Sequence, residues 1–149
     1  MERLYPYYGA ASLMDYVDNY IYDGIFLLLG EDGSVTDERG YPILQYVNGK
    51  FWVNNHAHVI QGANGYSTEM LRLLLKRTNI TEFVTGAVQA KLNQENLNSI
   101  PIVAPNTELR DAFNDKIQPF FANIRHNERE VNSLELTKAQ ILSGIASHS

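Results

Sequence analysis

Hydrophobic and polar positions divide the chain into two regimes near Pro105. Before it, apolar residues come in short runs broken by turn residues. Gly24 to Gly30 (GIFLLLG) is a continuous apolar run of buried-strand length, and Ile25 to Leu29 is its strand candidate. Glu31-Asp32-Gly33 follows as a turn. Tyr41 to Val47 and Lys50 to Asn54 are strand candidates flanking Asn48-Gly49, the dipeptide favoured by a two-residue hairpin turn with positive φ. Ala57 to Gln61 predicts another short strand, and Ile100 to Val103 a last one. Thr68 to Arg77 has helical composition with Ser67 as its cap. Val84 to Ala90 reads as irregular or strand, and Leu92 to Asn98 as one helical turn.

After Pro105 the period changes. Phe113, Ile117, Phe120, Ile124, Asn127, Val131, Leu134, Lys138 and Ile141 alternate at spacings of four and three. That is the 3.5-residue repeat of a coiled-coil seam. Asn106, followed by Thr107 and Glu108, suits a helix start, and Gly144 suits a stop. Pro119 is expected to kink the helix, and Asn132 with Glu135 offers an alternative break. A helix of about 35 residues would reach about 50 Å. Its seam therefore needs cover, either from its own domain or from a second long helix. Polar Asn127 and Lys138 in the seam favour the second, since such residues set register.

The expected fold class is α+β. A mixed domain spans residues 1–105, a long coiled-coil helix 106–144, and a tail 145–149. Composition sharpens this. The 149 residues are 44% hydrophobic, enough for a real core, and cysteine is absent, so disulfides and thiolate metal sites are excluded. No apolar run approaches a membrane span, and no secretory pattern opens the chain, so the expectation is a cytoplasmic protein. The net charge of −5 excludes a stand-alone nonspecific DNA binder, whose affinity comes from neutralising phosphates. Acidic residues crowd Asp15 to Glu38. Residues 50–91 are less acidic, with Lys50, Arg72, Lys76, Arg77 and Lys91 against Glu69 and Glu82.

Candidate chemistry is sparse. Asn55-His56-Ala57-His58 puts two imidazoles on one side of a strand, but zinc needs three or four ligands. The expectation is no metal, with both rings hydrogen-bonding inside the domain to hold loops. Glu31-Asp32 has no nuclease-like partner and reads as turn structure. No acid–base, nucleophile or phosphate-loop constellation appears, so neither catalysis nor a cofactor is expected. Gly86 to Gln94 is the most suggestive loop. Gln89 can bond adenine's major-groove edge, Lys91 can reach guanine or phosphate, and Asn93 can do either; an ordinary closing loop is the other reading. Tyr7 and Tyr8, in a tyrosine-rich stretch, are expected to be exposed and able to meet DNA. Arg39, in the turn Asp37-Glu38-Arg39-Gly40, could reach it too.

Several segments, taken in order, resemble the specificity subunits of type I restriction-modification systems. They are Tyr7-Tyr8-Gly9-Ala10 continuing to Asp15-Tyr16-Val17, and Tyr22-Asp23-Gly24 with Leu27 to Gly33. Val47 to Val59 (VNGKFWVNNHAHV) comes next. Last come Thr85-Gly86-Ala87, Gln89, Lys91 to Gln94, and Asn96 to Ile102. The order and spacing agree over about Tyr5 to Pro105, and Leu142-Ser143-Gly144 resembles the usual end of the helix. The resemblance implies a non-catalytic subunit with two recognition domains, each followed by a long helix. The helices pair antiparallel as a ruler between two half-sites, methyltransferase subunits dock on them, and a restriction subunit completes the complex. By that pattern an N-terminal stretch ahead of Tyr5 is missing, and only one domain and one helix are present. The expected partners are double-stranded DNA, the modification and restriction subunits, and a second copy of this chain through Phe113 to Ile141. The alternative is an interaction module that dimerises or docks on the methyltransferase without binding DNA.

Overall fold

The computed structural model describes residues 4–147. It is α+β: a five-stranded mixed sheet and a long C-terminal helix. The strands are β1 (Tyr5–Tyr8), β2 (Leu13–Val17), β3 (Tyr22–Gly30), β4 (Leu44–Val53) and β5 (Ala57–Ile60), in the order β2-β1-β4-β3-β5. The β1–β4 pair is parallel and the others are antiparallel. Helices α1 (Thr68–Leu75) and α2 (Gln94–Ser99) follow, with a 3₁₀ turn at Thr81–Phe83 between them, and α3 (Thr107–Ala146) closes the chain. Compact packing divides the chain after Asn114 into two units.

The apolar run in β3 is explained by burial on both faces. Leu27 and Leu29 enter one core with Val35, Leu75, Ile80, Leu92 and Ile100. Leu28, between them, enters another with Val47, Phe51 and Val53. A strand covered on both sides has no polar face to alternate. The second core is aromatic: Phe51 stacks on Tyr22 at 5.3 Å and meets Phe26 and Tyr8 edge-on at 5.7 and 5.9 Å.

Asn48-Gly49 makes no hairpin. It lies inside one continuous strand, where Asn48 pairs with Ile25 and Gly49 with Gly24. The reason is tertiary: β3 offers a partner along the whole of β4, from Leu44 to Phe51, and a turn at 48–49 would forfeit half that ladder. The positive φ that suggested a turn serves a bend instead. Gly49 has φ +84° and the facing Gly24 has φ +145°. Two opposed glycines leave no Cβ at that rung, so the ribbon can coil. The coiling is visible in β1. Tyr8 pairs with Val53 near the end of β4, yet the next carbonyl, on Gly9, accepts a 2.9 Å bond from Gln45 near its start. A straight strand would hold Gln45 and Val53 about 27 Å apart.

Three further expectations are corrected. Ile100 to Val103 forms no strand; Ile100 is instead a core residue held in irregular backbone. The alternative break at Asn132 does not occur, since α3 runs on through it and through Pro119. Asp115, whose carbonyl Pro119 cannot bond, lies on an exposed stretch where water can serve it. Gly144 does not stop the helix, which continues to Ala146 without the left-handed φ of a glycine cap. Asn106 does start it, its side chain accepting from the Leu109 amide at 2.9 Å.

Leu28→Ala should lower unfolding free energy by about 3 kcal/mol, because it empties a site closed on every side. Leu13→Ala, on the exposed edge strand β2, should cost under about 1 kcal/mol. Urea melts of the two variants with similar losses would contradict this account of the core.

Candidate nucleic-acid interface

Two loops lie side by side at the end of β3. The first joins β3 to β4 and folds back on itself, with Ile43 N bonding Val35 O at 3.0 Å and Asp37 N bonding Tyr41 O at 2.8 Å. The second runs from Asn79 to Asn93. Three backbone bonds join them: Ile80 N to Gly40 O at 2.9 Å, Gly33 N to Ala90 O at 2.9 Å, and Leu92 N to Glu31 O at 2.7 Å. The Asn79 amide adds a bond to the Arg39 carbonyl at 2.7 Å. The loops therefore form one surface, not two independent ones.

The second loop is a clamped hairpin. Thr85 and Lys91 exchange both backbone bonds, at 2.8 and 2.7 Å, which isolates Gly86 to Ala90 as a tip. Gly86 has φ +96°, and a Cβ there would collide with the Gln89 carbonyl oxygen. Glycine is thus required on both counts. Below the tip, Leu92 is fully buried in the first core.

The histidines hold these loops, as expected, but not from one strand face: His58 lies on β5, whereas His56 is exposed in the turn before it. His58, buried on β5, bonds the Leu92 carbonyl through Nε2. His56 Nδ1 meets Asp32 Oδ2 at 2.8 Å, and the His56 carbonyl accepts from the Glu31 amide at 2.8 Å.

Of the six predicted contact residues, Arg39, Gln89, Lys91 and Asn93 fall on this two-loop surface, and all four are exposed. Asn93 already has work in the fold, since its side-chain oxygen caps α2 by accepting from Asn96 N at 2.8 Å. Tyr7 and Tyr8 differ from expectation. Both are half-buried on β1, and the Tyr8 ring packs on Phe51. The second core recruits Tyr8, which composition alone left free. Lys76 and Arg77, exposed at the end of α1, come just before Asn79, whose side chain bonds the Arg39 carbonyl; they belong to the less acidic stretch 50–91 but were not among the predicted contacts. Exposed Glu31, Glu38 and Glu82 lie in the same loops, so the surface is mixed in charge. Asp37 is exposed too, its carboxylate accepting from the Arg39 and Tyr41 amides at 2.9 Å each.

On the unit that begins at Asp115, the seam positions Phe120, Ile124, Val131, Leu134 and Ile141 are exposed, Phe120 at 70%. Ile117 and Phe121 are the buried apolar residues of α3, and Phe121 lies outside the predicted seam.

Gly86→Ala should unlock the tip while leaving the sheet intact. Amide exchange at Thr85 and Lys91 should accelerate at least about tenfold, with a global loss of only about 1 to 2 kcal/mol. Unchanged exchange at those two amides would show that the clamp does not depend on Gly86.

A family described as type I restriction modification DNA specificity domain matches residues 2–136. A type I restriction enzyme specificity subunit of Haemophilus influenzae is 43% identical over 100 residues, covering 67% of this chain and 26% of the relative. The EcoprrI type I restriction enzyme specificity subunit of Escherichia coli is 23% identical over 137 residues, 92% of this chain and 33% of the relative. The chain spans about a quarter to a third of the length of these curated relatives. The match over residues 2–136 covers both the sheet and most of the long helix, and the chain belongs to the type I restriction modification DNA specificity family.

Proposed function

We propose that this chain is a non-catalytic DNA-recognition and scaffold element of a type I restriction-modification system. Its sheet domain reads one half-site of double-stranded DNA. Its helix joins a second long helix and offers a platform to the methyltransferase and restriction subunits. The observation that carries the reading is the paired-loop surface, where Arg39, Gln89 and Lys91 stand exposed on backbone fixed to the core. Such a surface can divide the labour of DNA readers, with cations on phosphates and amides on base edges. Asn93 contributes its remaining amide hydrogens. Tyr7 and Tyr8 are secondary, because half-buried rings offer little beyond their hydroxyls.

The net charge of −5 sets a condition. Four exposed cations cannot supply the affinity of a specific site at physiological salt, so positive charge from partner subunits must complete the grip. In the same proposal two copies pair through α3. Laid antiparallel about Arg129, the seams match residue for residue, Ile124 against Leu134 and Asn127 against Val131. A symmetric pair would read a palindromic split site.

Binding of the full chain to duplex DNA at low salt, with and without a methyltransferase, tests the recognition half. Lys91→Ala should weaken binding several-fold and reduce the salt slope by about one. Gln89→Ala should relax preference at one base pair by about 1 to 3 kcal/mol. Both variants should melt as the parent does. If neither alters binding by the assembled complex, the recognition reading fails and a docking module remains.

The pairing half has its own check. Ile124→Asp with Leu134→Asp should abolish any dimer in sedimentation while the sheet domain stays folded, both sites being exposed. Ile117→Asp is unsuitable, since Ile117 is buried. A parent chain that sediments as a monomer at all concentrations would refute self-pairing.

A further inference from the structure

We propose that Val88 is a specificity-determining residue that reads the 5-methyl group of a thymine in the major groove. The inference rests on the DNA-recognition reading above and goes beyond it by naming a residue and the base feature it senses.

Val88 stands in the middle of the clamped tip with its side chain 103% exposed, more than any other large apolar residue among those described. Most other exposed apolar side chains lie on β2 or α3, where strand or helix neighbours share the surface. Val88 has no apolar company beyond Ala87 and Ala90. Its position is held: two bonds between Thr85 and Lys91 close the hairpin, and Gly33 N grips the Ala90 carbonyl at 2.9 Å. A branched side chain on fixed backbone has little rotamer freedom to lose on contact. A lone, stiff apolar projection of that kind suits a contact, not a solvated loop.

The surroundings select the partner. Residues 86–90 (GAVQA) carry no charge, in a chain of net charge −5, so the tip itself meets no repulsion from phosphates. Lys91 stands at its base, where a phosphate would lie. Glu31 and Asp32 sit against residues 91–92 and not against the tip, and Asp32 is engaged by His56 at 2.8 Å. A two-stranded turn is narrow enough for the major groove, about 12 Å wide. The only apolar feature on that floor is the thymine methyl; the minor groove has none. A valine methyl beside a thymine methyl is therefore the contact this tip is built to make. Adjacent Gln89 can bond an adenine edge in the same groove.

The test uses the full chain together with a methyltransferase, at low salt, and a randomised duplex pool. Selected duplexes are then resynthesised with single dT-to-dU replacements, which remove one methyl and nothing else. The wild type should show one or two positions where dU weakens binding about four-fold, the scale of one buried methyl. Val88→Ala should lose the same factor on the thymine duplex and become indifferent to dU there. Its melting temperature should be unchanged, as the side chain touches little of its own chain. Equal dU sensitivity in parent and variant, or an identical selected consensus and affinity, overturns the inference while leaving DNA recognition standing. A wild type that enriches no duplex overturns both.

Discussion

Leu92 ties the candidate interface to the fold. Its side chain fills the core shared by Leu27, Leu29 and Ile100, its amide bonds Glu31, and its carbonyl is held by His58. All three attachments converge one residue below Lys91. A loop whose tip carries neutral polar and apolar side chains would otherwise wander, because within GAVQA only the Ala90 carbonyl is tied to the neighbouring loop. The anchor in turn depends on β3, since a strand buried on both faces is the one element around which sheet, outer helix and loop can all close. Precision at the tip is thus derived from packing at a distance. Stability of the core and fidelity of any reading by the loop are one problem, as rigid scaffolds with exposed loops require.

Electrostatics pull the other way. The two-loop surface, with the end of α1 that leads into it, mixes Arg39, Lys76, Arg77 and Lys91 with Glu31, Glu38 and Glu82. A field of mixed sign discriminates geometry better than it supplies affinity, for each carboxylate near a phosphate penalises the wrong docking pose. That suits the proposed division of labour, in which other subunits would supply grip and this chain choice. It also explains how an acidic chain can take part in DNA recognition without contradiction.

Legibility in the sequence followed the strength of local signals. The long helix was readable because about eight turns of heptad pattern overwhelm one proline, and Ser67 and Asn106 marked their helix starts through short-range chemistry that tertiary structure did not need to override. The strand Ile25 to Leu29 was readable for a similar reason. Asn48-Gly49 was misread because positive φ fits either a turn or a bend in a paired strand, and only the facing Gly24, far away in sequence, decides which. Strands β1 and β2 went unseen: Pro6 and the flanking tyrosines resemble loop, and β2 is exposed on both faces and shows no alternation. Within the candidate site, Gln89 and Lys91 were visible from residue type. Val88 was not, because an isolated valine in sequence looks like core, and its full exposure is a property of the hairpin alone.

The helix leaves a mismatch that packing must resolve. An α-helix turns once per 3.6 residues, whereas the seam repeats every 3.5, so a straight helix rotates its stripe by about 20° per heptad. Ile117 and Phe121, four apart, follow the helical period and are buried. From Ile124 onward the seam follows the heptad period and is exposed. A stripe that drifts in this way cannot stay against a flat surface for its length; only another helix that winds with it can keep contact. Ile124, Val131, Leu134 and Ile141 together make a longer apolar surface than a solitary helix tolerates in water. If the helix pairs as proposed, its formation and acquisition of a mate become linked equilibria, with stability that rises with partner concentration.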